Sequence, residues 1–180
     1  MKCRYTLAFD IYHSVFDINS FHQQENLLPL SFYLSPMTYI EQIRPEHTWH
    51  LRQQVLYPQS KLSEMKMDED DNGLHFAAFK DNLIVGVVSL FPRGDDYQFR
   101  KFAVDERVQG MGIGRELLNY ITNFTALNGG KRLWCNARVS AIGFYLKADF
   151  THTGRLFSKH GFDYEILEKT ISDVQMNSNK

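Results

Sequence analysis

The sequence predicts a mixed α/β (α+β) domain, built on a central sheet of about seven strands with helices on both faces. Two observations predict this fold class. Segments with the period of strands and segments with the period of helices follow each other in the order strand, helix, hairpin, strand, helix, strand, helix, hairpin. In addition, a loop with three glycines in five residues joins one strand directly to an amphipathic helix.

Seven segments have the residue types and the alternation of β-strands. Asp81 and Asn82 lie between the second and third of them and supply turn chemistry, so these two strands should form a hairpin. The last two segments should form another. The predicted strands are residues 38–43, 74–79, 83–90, 97–104, 131–137, 151–157 and 162–169.

Three segments have helical character. Pro45 suits the first turn of the first helix, because its missing N–H costs little there, and Pro58 marks its end. After the second helix, Asn128 and Gly129 suit a left-handed cap. The predicted helices are residues 45 to about 57, 112–127 and 140 to about 148. The predicted core face of the second helix comprises Ile113, Leu117, Leu118, Ile121, Phe124 and Leu127.

Composition and charge exclude several classes of protein. A chain of 180 residues, of which 43% are hydrophobic, is long and apolar enough to bury one sizeable core. The formal net charge of -1 provides no field to recruit nucleic acid or an anionic membrane. No apolar run approaches the roughly 20 residues that span a bilayer. Two cysteines, Cys3 and Cys135, are too few for a disulfide framework, so we expect a reduced, cytoplasmic protein.

The strand pattern begins only after Pro36. Residues 1–36 contain no glycine and mix aromatic and polar residues irregularly, so we interpret them as an N-terminal extension of unknown role. The compact domain is predicted to span residues 37–172. Residues 173–180 are predicted to be a frayed tail.

No metal site is expected. Residues 68–73 begin like a calcium loop, but the twelfth position, where a glutamate should stand, is Phe79, and a strand follows instead of a helix. We interpret this acidic stretch as a solvated turn. The histidines His47, His50, His152 and His160 fit no ligand spacing either and are interpreted as surface residues.

The loop between the fourth strand and the second helix is the main candidate for a functional site. Gly110, Gly112 and Gly114 leave the backbone bare and permit positive φ, and the first N–H groups of the helix lack partners within it. Together they make an anion site suited to phosphates. The nucleotide-hydrolase pattern GxxxxGK[ST] is excluded because Arg115 and Glu116 follow Gly114, and Arg115 also replaces the last glycine of the dinucleotide pattern GxGxxG.

The spacing that does fit is Gln-x-x-Gly-x-Gly, formed by Gln109, Gly112 and Gly114. It resembles the acyl-coenzyme A pyrophosphate loop of the GNAT superfamily of N-acetyltransferases. Residues 136–147, with the sequence Asn-Ala-Arg-Val-Ser-Ala-Ile-Gly-Phe-Tyr-Leu-Lys, resemble the later segment of that family, in which a helix carries Phe-Tyr. The order of elements from about residue 38 to 170 matches the family as well. An ordinary glycine-rich turn remains the alternative for the first motif taken alone.

The resemblance implies a mostly antiparallel sheet whose central strand pair splays apart, with acetyl-CoA as acyl donor in the cleft. The pantetheine arm would bond to the backbone of Phe102 and Val104, and the pyrophosphate to the glycine loop, where Arg115 is a charge-assisted donor. The implied catalytic residues are Tyr145, the general acid for the departing thiolate, and Val104, whose N–H would stabilise the oxyanion. The implied cofactor-binding residues are Phe102, Ala103, Val104, Gln109, Gly110, Met111, Gly112, Ile113, Gly114, Arg115, Asn136, Phe144 and Tyr145.

Three positions depart from the family pattern. Arg138 stands where an asparagine is common, which leaves Asn136 as the alternative contact for the pantetheine arm. Asp149 stands where glycine usually follows the helix, although aspartate tolerates a left-handed cap better than most residues. The central strand has the sequence Phe99-Arg100-Lys101-Phe102 and contains no carboxylate that could deprotonate an amine.

The missing carboxylate has three interpretations. The amine could lose its proton through water to Glu41, His75 or the acidic loop near Asp70. Alternatively, Arg100 or Lys101 faces the acceptor groove and binds an acidic substrate. In the third interpretation both cations are solvated or lie under the cofactor phosphates.

The sequence therefore predicts an N-acetyltransferase that transfers an acetyl group from acetyl-CoA to a primary amine by direct nucleophilic attack. Cys135 is interpreted as a small core residue, because direct transfer needs no cysteine intermediate. The expected partners are acetyl-CoA and an amine-bearing small molecule or a protein amino group, without nucleic acid, membrane or metal; a homodimer is left open. A non-catalytic acyl-CoA-binding sensor with the same fold is the alternative.

Overall fold

A mixed sheet of seven strands lies at the centre of residues 38–171, the part of the chain that the structure, a computed structural model, describes. The strands are β1 (Thr38–Ile43), β2 (Leu74–Lys80), β3 (Leu83–Arg93), β4 (Asp96–Val104), β5 (Arg132–Arg138), β6 (Thr151–Lys159) and β7 (Phe162–Thr170). Their order is β1-β2-β3-β4-β5-β7-β6, and neighbours run antiparallel except β4 and β5. The predicted fold class is confirmed. The predicted extension 1–36 and the tail 173–180 lie outside the described residues.

Helices cover both faces of the sheet, as predicted. They are α1 (a 3₁₀ turn over Pro45–Thr48, an α turn over Trp49–Leu51 and a π-helical turn over Arg52–Leu56), α2 (Ile113–Leu127) and α3 (Ile142–Leu146). Leu51 of α1 packs with Val87 and Ala103 on one face. Side chains of α2 and α3 pack on the other. The first helix therefore lies where it was predicted, but its type changes twice along its length.

The parallel strands β4 and β5 pair only at their beginnings. Their register ends at Gln98 and Trp134. Because β4 continues to Val104 and β5 to Arg138, the two strands part and leave a cleft between them. The predicted splayed pair is therefore present.

A β-bulge changes the direction of the side chains in β4. Its register with β3 shifts after Arg100, and the next residue, Lys101, has a φ of 53°. Phe99 and Ala103 are four residues apart and would face the same side in a regular strand. Instead, Phe99 packs on the α2 face and Ala103 on the α1 face. The extra residue has reversed the alternation.

Three predicted turn features are confirmed. Asp81 and Asn82 have φ values of 51° and 62° in the β2–β3 hairpin, as its tight turn requires. Gly129 follows α2 at a φ of 76°. Asp149 follows α3 at a φ of 62°, so an aspartate occupies the left-handed position in which the family usually has glycine.

The predicted core face of α2 is right except at its end. Ile113, Leu117 and Ile121 are buried, but Leu127 is 71% exposed, so its assignment to the core was wrong. The buried face of α2 continues from Ile121 to Thr125 at a spacing of four residues, and Leu127 lies outside this face. The helices described in residues 38–171 include none that is long and apolar enough to cross a membrane.

The acidic stretch before β2 is not a solvated turn throughout, and this prediction needs correction. Asp70 is 1% exposed and accepts two hydrogen bonds from the guanidinium of Arg52, at 2.8 and 2.9 Å. Arg52 is fully buried and also donates to Ser89 Oγ at 2.7 Å and to the Met65 carbonyl at 2.9 Å. This buried pair fastens the segment between α1 and β2 to the sheet.

Candidate functional site

The cleft exposes one backbone amide at the end of β4. Val104 lies opposite Gly86 of β3, and Asp105 N–H donates to the Val85 carbonyl at 2.8 Å. Val104 therefore belongs to a non-hydrogen-bonded pair, and its own N–H and C=O point away from β3, to the side where β5 has departed. The side chain of Gln109 donates to the Val104 carbonyl at 2.9 Å. The N–H remains available to a ligand in the cleft.

Several more amides are available at the start of α2. Gly110 and Gly112 have φ values of 79° and 89°, which glycine adopts without strain. Glu116 N–H is the first in α2 to reach a carbonyl, that of Gly112 at 3.0 Å. The N–H groups of Ile113 and Gly114 before it have no acceptor among residues 38–171. These amides lie at the positive end of a 15-residue helix, so the loop is suited to an anion.

The glycine loop also fits a diphosphate sterically and electrostatically. A Cβ at Gly112 would meet only the guanidinium of Arg115, at 3.8 Å, so the space over the loop is open and a cation borders it. The coenzyme A pyrophosphate needs such bare amides and a flexible cation. The residues present therefore fit the group that the sequence implied.

The loop, β4 and α3 meet at a single point. A Cβ at Gly114 would lie 3.4 Å from the ring of Phe144 and 3.6 Å from Val104 Cγ2, so the loop is within van der Waals distance of both elements. The ring centroids of Phe102 and Phe144 are 5.7 Å apart. Two segments that are distant in the sequence are therefore in contact beside the cleft.

Tyr145 lies on the inner wall of the cleft. Its side chain is 7% exposed and packs against the rings of Phe99, Phe102, Phe144 and Phe150, with centroids 5.0 to 6.3 Å away. Burial raises the pKa of its phenol above the ordinary value. The hydroxyl therefore stays protonated at neutral pH, as a proton donor must.

Two connected openings occupy the space between the parted strands. The inner cavity, of about 130 Å³, is lined by Tyr145 and Cys135 among others. The outer groove, of about 740 Å³, continues from it between α1 and the β6–β7 hairpin. Both are lined by Leu56, Tyr57, Phe99, Arg100, Lys101, Asn136 and Tyr164. Burial raises the pKa of the Cys135 thiol, which agrees with its interpretation as a small core residue.

Of the predicted site residues, Phe102, Asn136 and Tyr145 line the inner cavity, and Phe144 connects Phe102 with Gly114 of the loop. The side chains of two others point elsewhere. The side chain of Ala103 is 2% exposed and faces the α1 side of the sheet, away from the glycine loop. Met111 is 61% exposed, and its sulfur lies 3.5 Å from Lys80 Nζ. Asn136 lines both the inner cavity and the outer groove, where the alternative to Arg138 was expected.

Glu41, His75 and Asp70 do not line the cleft, but the acidic loop around Asp70 reaches its edge, where Glu69 accepts a hydrogen bond from Arg100 at 3.2 Å. Glu41 belongs to β1, the edge strand of the sheet. His75 is 2% exposed and its ring nitrogens bond to Ser89 Oγ and the Asp70 carbonyl, both at 2.8 Å. Burial lowers the pKa of His75. Burial acts to raise the pKa of Asp70, but hydrogen bonds from Arg52 and the Met67 amide outweigh it and leave the pKa lowered.

Arg100 and Lys101, which the sequence suggested for the acceptor groove, line both openings, but sequence reasoning missed the residues that surround them there. Tyr57, at the end of α1, accepts a hydrogen bond from Lys101 Nζ at 2.7 Å. Arg138 donates to the Leu56 carbonyl at 3.0 Å, and so joins the end of β5 to the end of α1. The departure of Arg138 from the family pattern and the two adjacent cations Arg100 and Lys101 were the signals in the sequence that pointed to this arrangement. Within residues 38–171, no cluster of three or more His, Cys, Asp or Glu side chains could hold a metal ion.

A sheet that splays beside a glycine loop and a helix N-terminus defines an acyltransferase of the GNAT class. The family model described as "Acetyltransferase (GNAT) domain" matches residues 39–171, so the chain belongs to this family. The match spans β1 to the residue after β7, and its members are acyltransferases.

One curated protein is similar to this chain in sequence, and solved structures are similar to it in fold. The chain is 25% identical over 145 residues to "Uncharacterized N-acetyltransferase YitI" of Bacillus subtilis, which covers 75% of this chain and 97% of the relative. The fold is similar to that of the ribosomal-protein-S18-alanine N-acetyltransferase of Escherichia coli, with a TM-score of 0.65, 18% identity and coverage of 78% of this chain and 98% of the other. An aminoglycoside 6'-N-acetyltransferase crystallised with coenzyme A has a TM-score of 0.63, 14% identity and coverage of 74% and 97%.

Proposed function

We propose that this acyltransferase moves an acetyl group from acetyl-CoA to a primary amine by direct attack of the neutral amine. The observation that carries the proposal is the arrangement of donors along the cleft. The Val104 N–H points away from β3 into the gap that β5 leaves, and the unpaired amides of Ile113 and Gly114 follow in the first turn of α2. Gly114 lies beside Val104, so these donors adjoin the places where the thioester and the diphosphate would lie. The aminoglycoside enzyme of the same fold, which was crystallised with coenzyme A, supports this choice of donor.

Each group has a defined part in the reaction. Val104 N–H is fixed by the β3–β4 ladder, so it donates to the oxygen of the thioester as negative charge develops there, without reorganisation. A preorganised donor of this type contributes about 3 kcal/mol to the barrier reduction. Tyr145 donates its phenolic proton to the departing thiolate sulfur. The phenol is neutral beforehand because burial raises its pKa.

The acceptor approaches from the opposite end of the cleft. The outer groove reaches the inner cavity on the side away from α2, so the amine and the coenzyme enter from different faces of the sheet. With no carboxylate lining the inner cavity, the excess proton of the attacking amine leaves through water in the outer groove. The acceptor is a small molecule or an exposed amino group of a protein.

The test is the release of free thiol from acetyl-CoA across a panel of amines, measured with the full chain and with a chain beginning at Met37. Acceptor-dependent release, accompanied by acetylated amine in the mass spectrum, is the expected result. Tight coenzyme A binding with no release for any amine would instead identify the non-catalytic sensor and refute the proposal. Equal rates for the two chains would show that residues 1–36 take no part in transfer.

A further inference from the structure

We propose that the acceptor is an amine with a carboxylate close to its nitrogen, as in a free amino acid. This inference rests on the proposed function and names the substrate class of the same site. Its basis is the positive charge of Lys101 and Arg138 in the inner cavity, where no lining residue is a carboxylate.

Two cations converge on one aromatic ring in the inner cavity. Lys101 Nζ lies 2.7 Å from the hydroxyl of Tyr57 and 4.3 Å from its ring centroid. The guanidinium carbon of Arg138 lies 5.8 Å from the same centroid and 3.9 Å from that of Phe162. Both side chains are half-buried. The aromatic rings stabilise the cations, but they carry no negative charge that would neutralise them.

No carboxylate compensates these cations. The residues that line the inner cavity include neither aspartate nor glutamate. Within residues 38–171, neither Lys101 nor Arg138 forms a salt bridge, whereas Arg100 beside them pairs with Glu69 at 3.2 Å. A concave site lined by one sign of charge concentrates ligands of the opposite sign. The inner cavity is therefore suited to an anionic group.

The β4 bulge explains how Lys101 reaches this site. In a regular strand Lys101 and Arg100 would point to opposite faces of the sheet. The left-handed backbone at Lys101 turns its side chain to the α1 side instead, next to Arg100 and towards Tyr57. A non-glycine residue at positive φ is strained. The backbone conformation that brings the Lys101 ammonium into the groove therefore costs free energy, which another interaction must offset.

The position of Lys101 and Arg138 sets the distance between the amine and the carboxylate of the acceptor. The amine must reach the thioester beside Val104 and Tyr145, and Tyr145 lines the same inner cavity as Lys101 and Arg138. That cavity is only about 130 Å³, so an anion bound by the two cations lies next to the reacting nitrogen. An α-amino carboxylate has both groups on one carbon. The outer groove, with the rings of Phe157 and Phe162, then receives its side chain.

The experiment compares acids with their neutral counterparts. The twenty amino acids, the carboxamides of those that respond best, and the amines cadaverine and 2-phenylethylamine are titrated into the protein saturated with coenzyme A, and binding is measured by calorimetry. The kcat/KM for thiol release from acetyl-CoA is measured for the same compounds. We expect at least one amino acid to bind more tightly than its carboxamide, and to have a higher kcat/KM, by about tenfold or more in each case. A difference of this size is that of a charge-assisted contact. The carboxamide has the less basic amine, so intrinsic reactivity favours the opposite order.

Matched variants test whether the Lys101 cation causes the preference for the acid over the carboxamide. Lys101→Asn removes the charge with a residue that tolerates positive φ, and should reduce the preference for the acid to less than about threefold. Lys131→Asn removes an exposed lysine just before β5 and should leave the preference for the acid unchanged. Equal or tighter binding of the carboxamide or of the diamine would overturn the inference, and so would the absence of binding by every amino acid. If the preference persists in binding while no compound releases thiol, the proposed function fails and the assignment of the anion site stands.

Discussion

The buried pair of Arg52 and Asp70 provides the most direct test of how the acceptor side of the cleft is held in place. Asp70→Asn keeps the shape of the side chain but removes its charge, which leaves the guanidinium of Arg52 fully buried and without a counter-ion. Loss of one partner of a buried ion pair reduces the free energy of unfolding by about 3–5 kcal/mol. The amide oxygen of asparagine can keep one of the hydrogen bonds at 2.8 and 2.9 Å, so we expect a value near 3 kcal/mol.

Urea denaturation followed by tryptophan fluorescence measures this loss, because Trp49 lies in α1 and Trp134 in β5, so the signal reports on both the helix and the sheet. A loss of that size lowers the melting temperature by about 10 °C for a domain of this length. Asp71→Asn is the matched control, since Asp71 is the exposed neighbour and should change the free energy by less than about 0.5 kcal/mol. Equal stability of the two variants would refute the idea that this pair fastens the segment. The variant should also raise the KM for the acceptor more than that for acetyl-CoA, because Met65 and Tyr57 line the outer groove.

Three further predictions concern the cofactor side and the buried histidine. Tyr145→Phe should lower kcat by about 100-fold, as for loss of a general acid, and leave the melting temperature nearly unchanged; an unaltered kcat would remove Tyr145 from the mechanism. Gly112→Ala should weaken acetyl-CoA binding and destabilise the chain by about 1–2 kcal/mol, because its φ is 89°, whereas Gly143→Ala should do neither. Because burial lowers the pKa of His75, the unfolded chain binds its proton more readily, so the free energy of unfolding should fall as the pH drops below about 6.5. The slope of the urea midpoint against pH should be smaller in His75→Gln. An identical slope would show that protonation of His75 does not cause the loss of stability.

The features that the sequence predicted correctly depend on local backbone chemistry. Asp149 was expected to occupy a left-handed cap, and it does, at a φ of 62°. The turn at Asp81 and Asn82 and the exposed amides before Glu116 follow from residue types within a few positions of each other. Steric limits on φ and the unpaired amides of a helix start act over such short distances, so they can be read from the chain without a three-dimensional structure.

The sequence suggested Arg100 or Lys101 for the acceptor side, but the contacts of that side could not be predicted, because they join distant parts of the chain. Lys101 and Tyr57 are 44 positions apart, and Arg138 and Leu56 are 82 positions apart. Arg52 and Ser89 are separated by 37. The acidic stretch around Asp70 has the composition of a surface turn, and only the packing of α1 against the sheet shows that one of its carboxylates is buried. A buried charge gives no local signal in the sequence when its partner lies in another element.

One extra residue in β4 connects the two sides of the site. Without the bulge, strict alternation after Phe99 would send Ala103 to the α2 face and Val104 to the α1 face. In the structure Val104 instead faces the glycine loop, where its methyl group lies 3.6 Å from the position of a Cβ on Gly114. The same irregularity turns Lys101 towards Tyr57 on the opposite face. The bulge therefore aligns the end of β4 with the coenzyme loop and adds a cation to the acceptor side, so that donor and acceptor meet across the thickness of a single sheet.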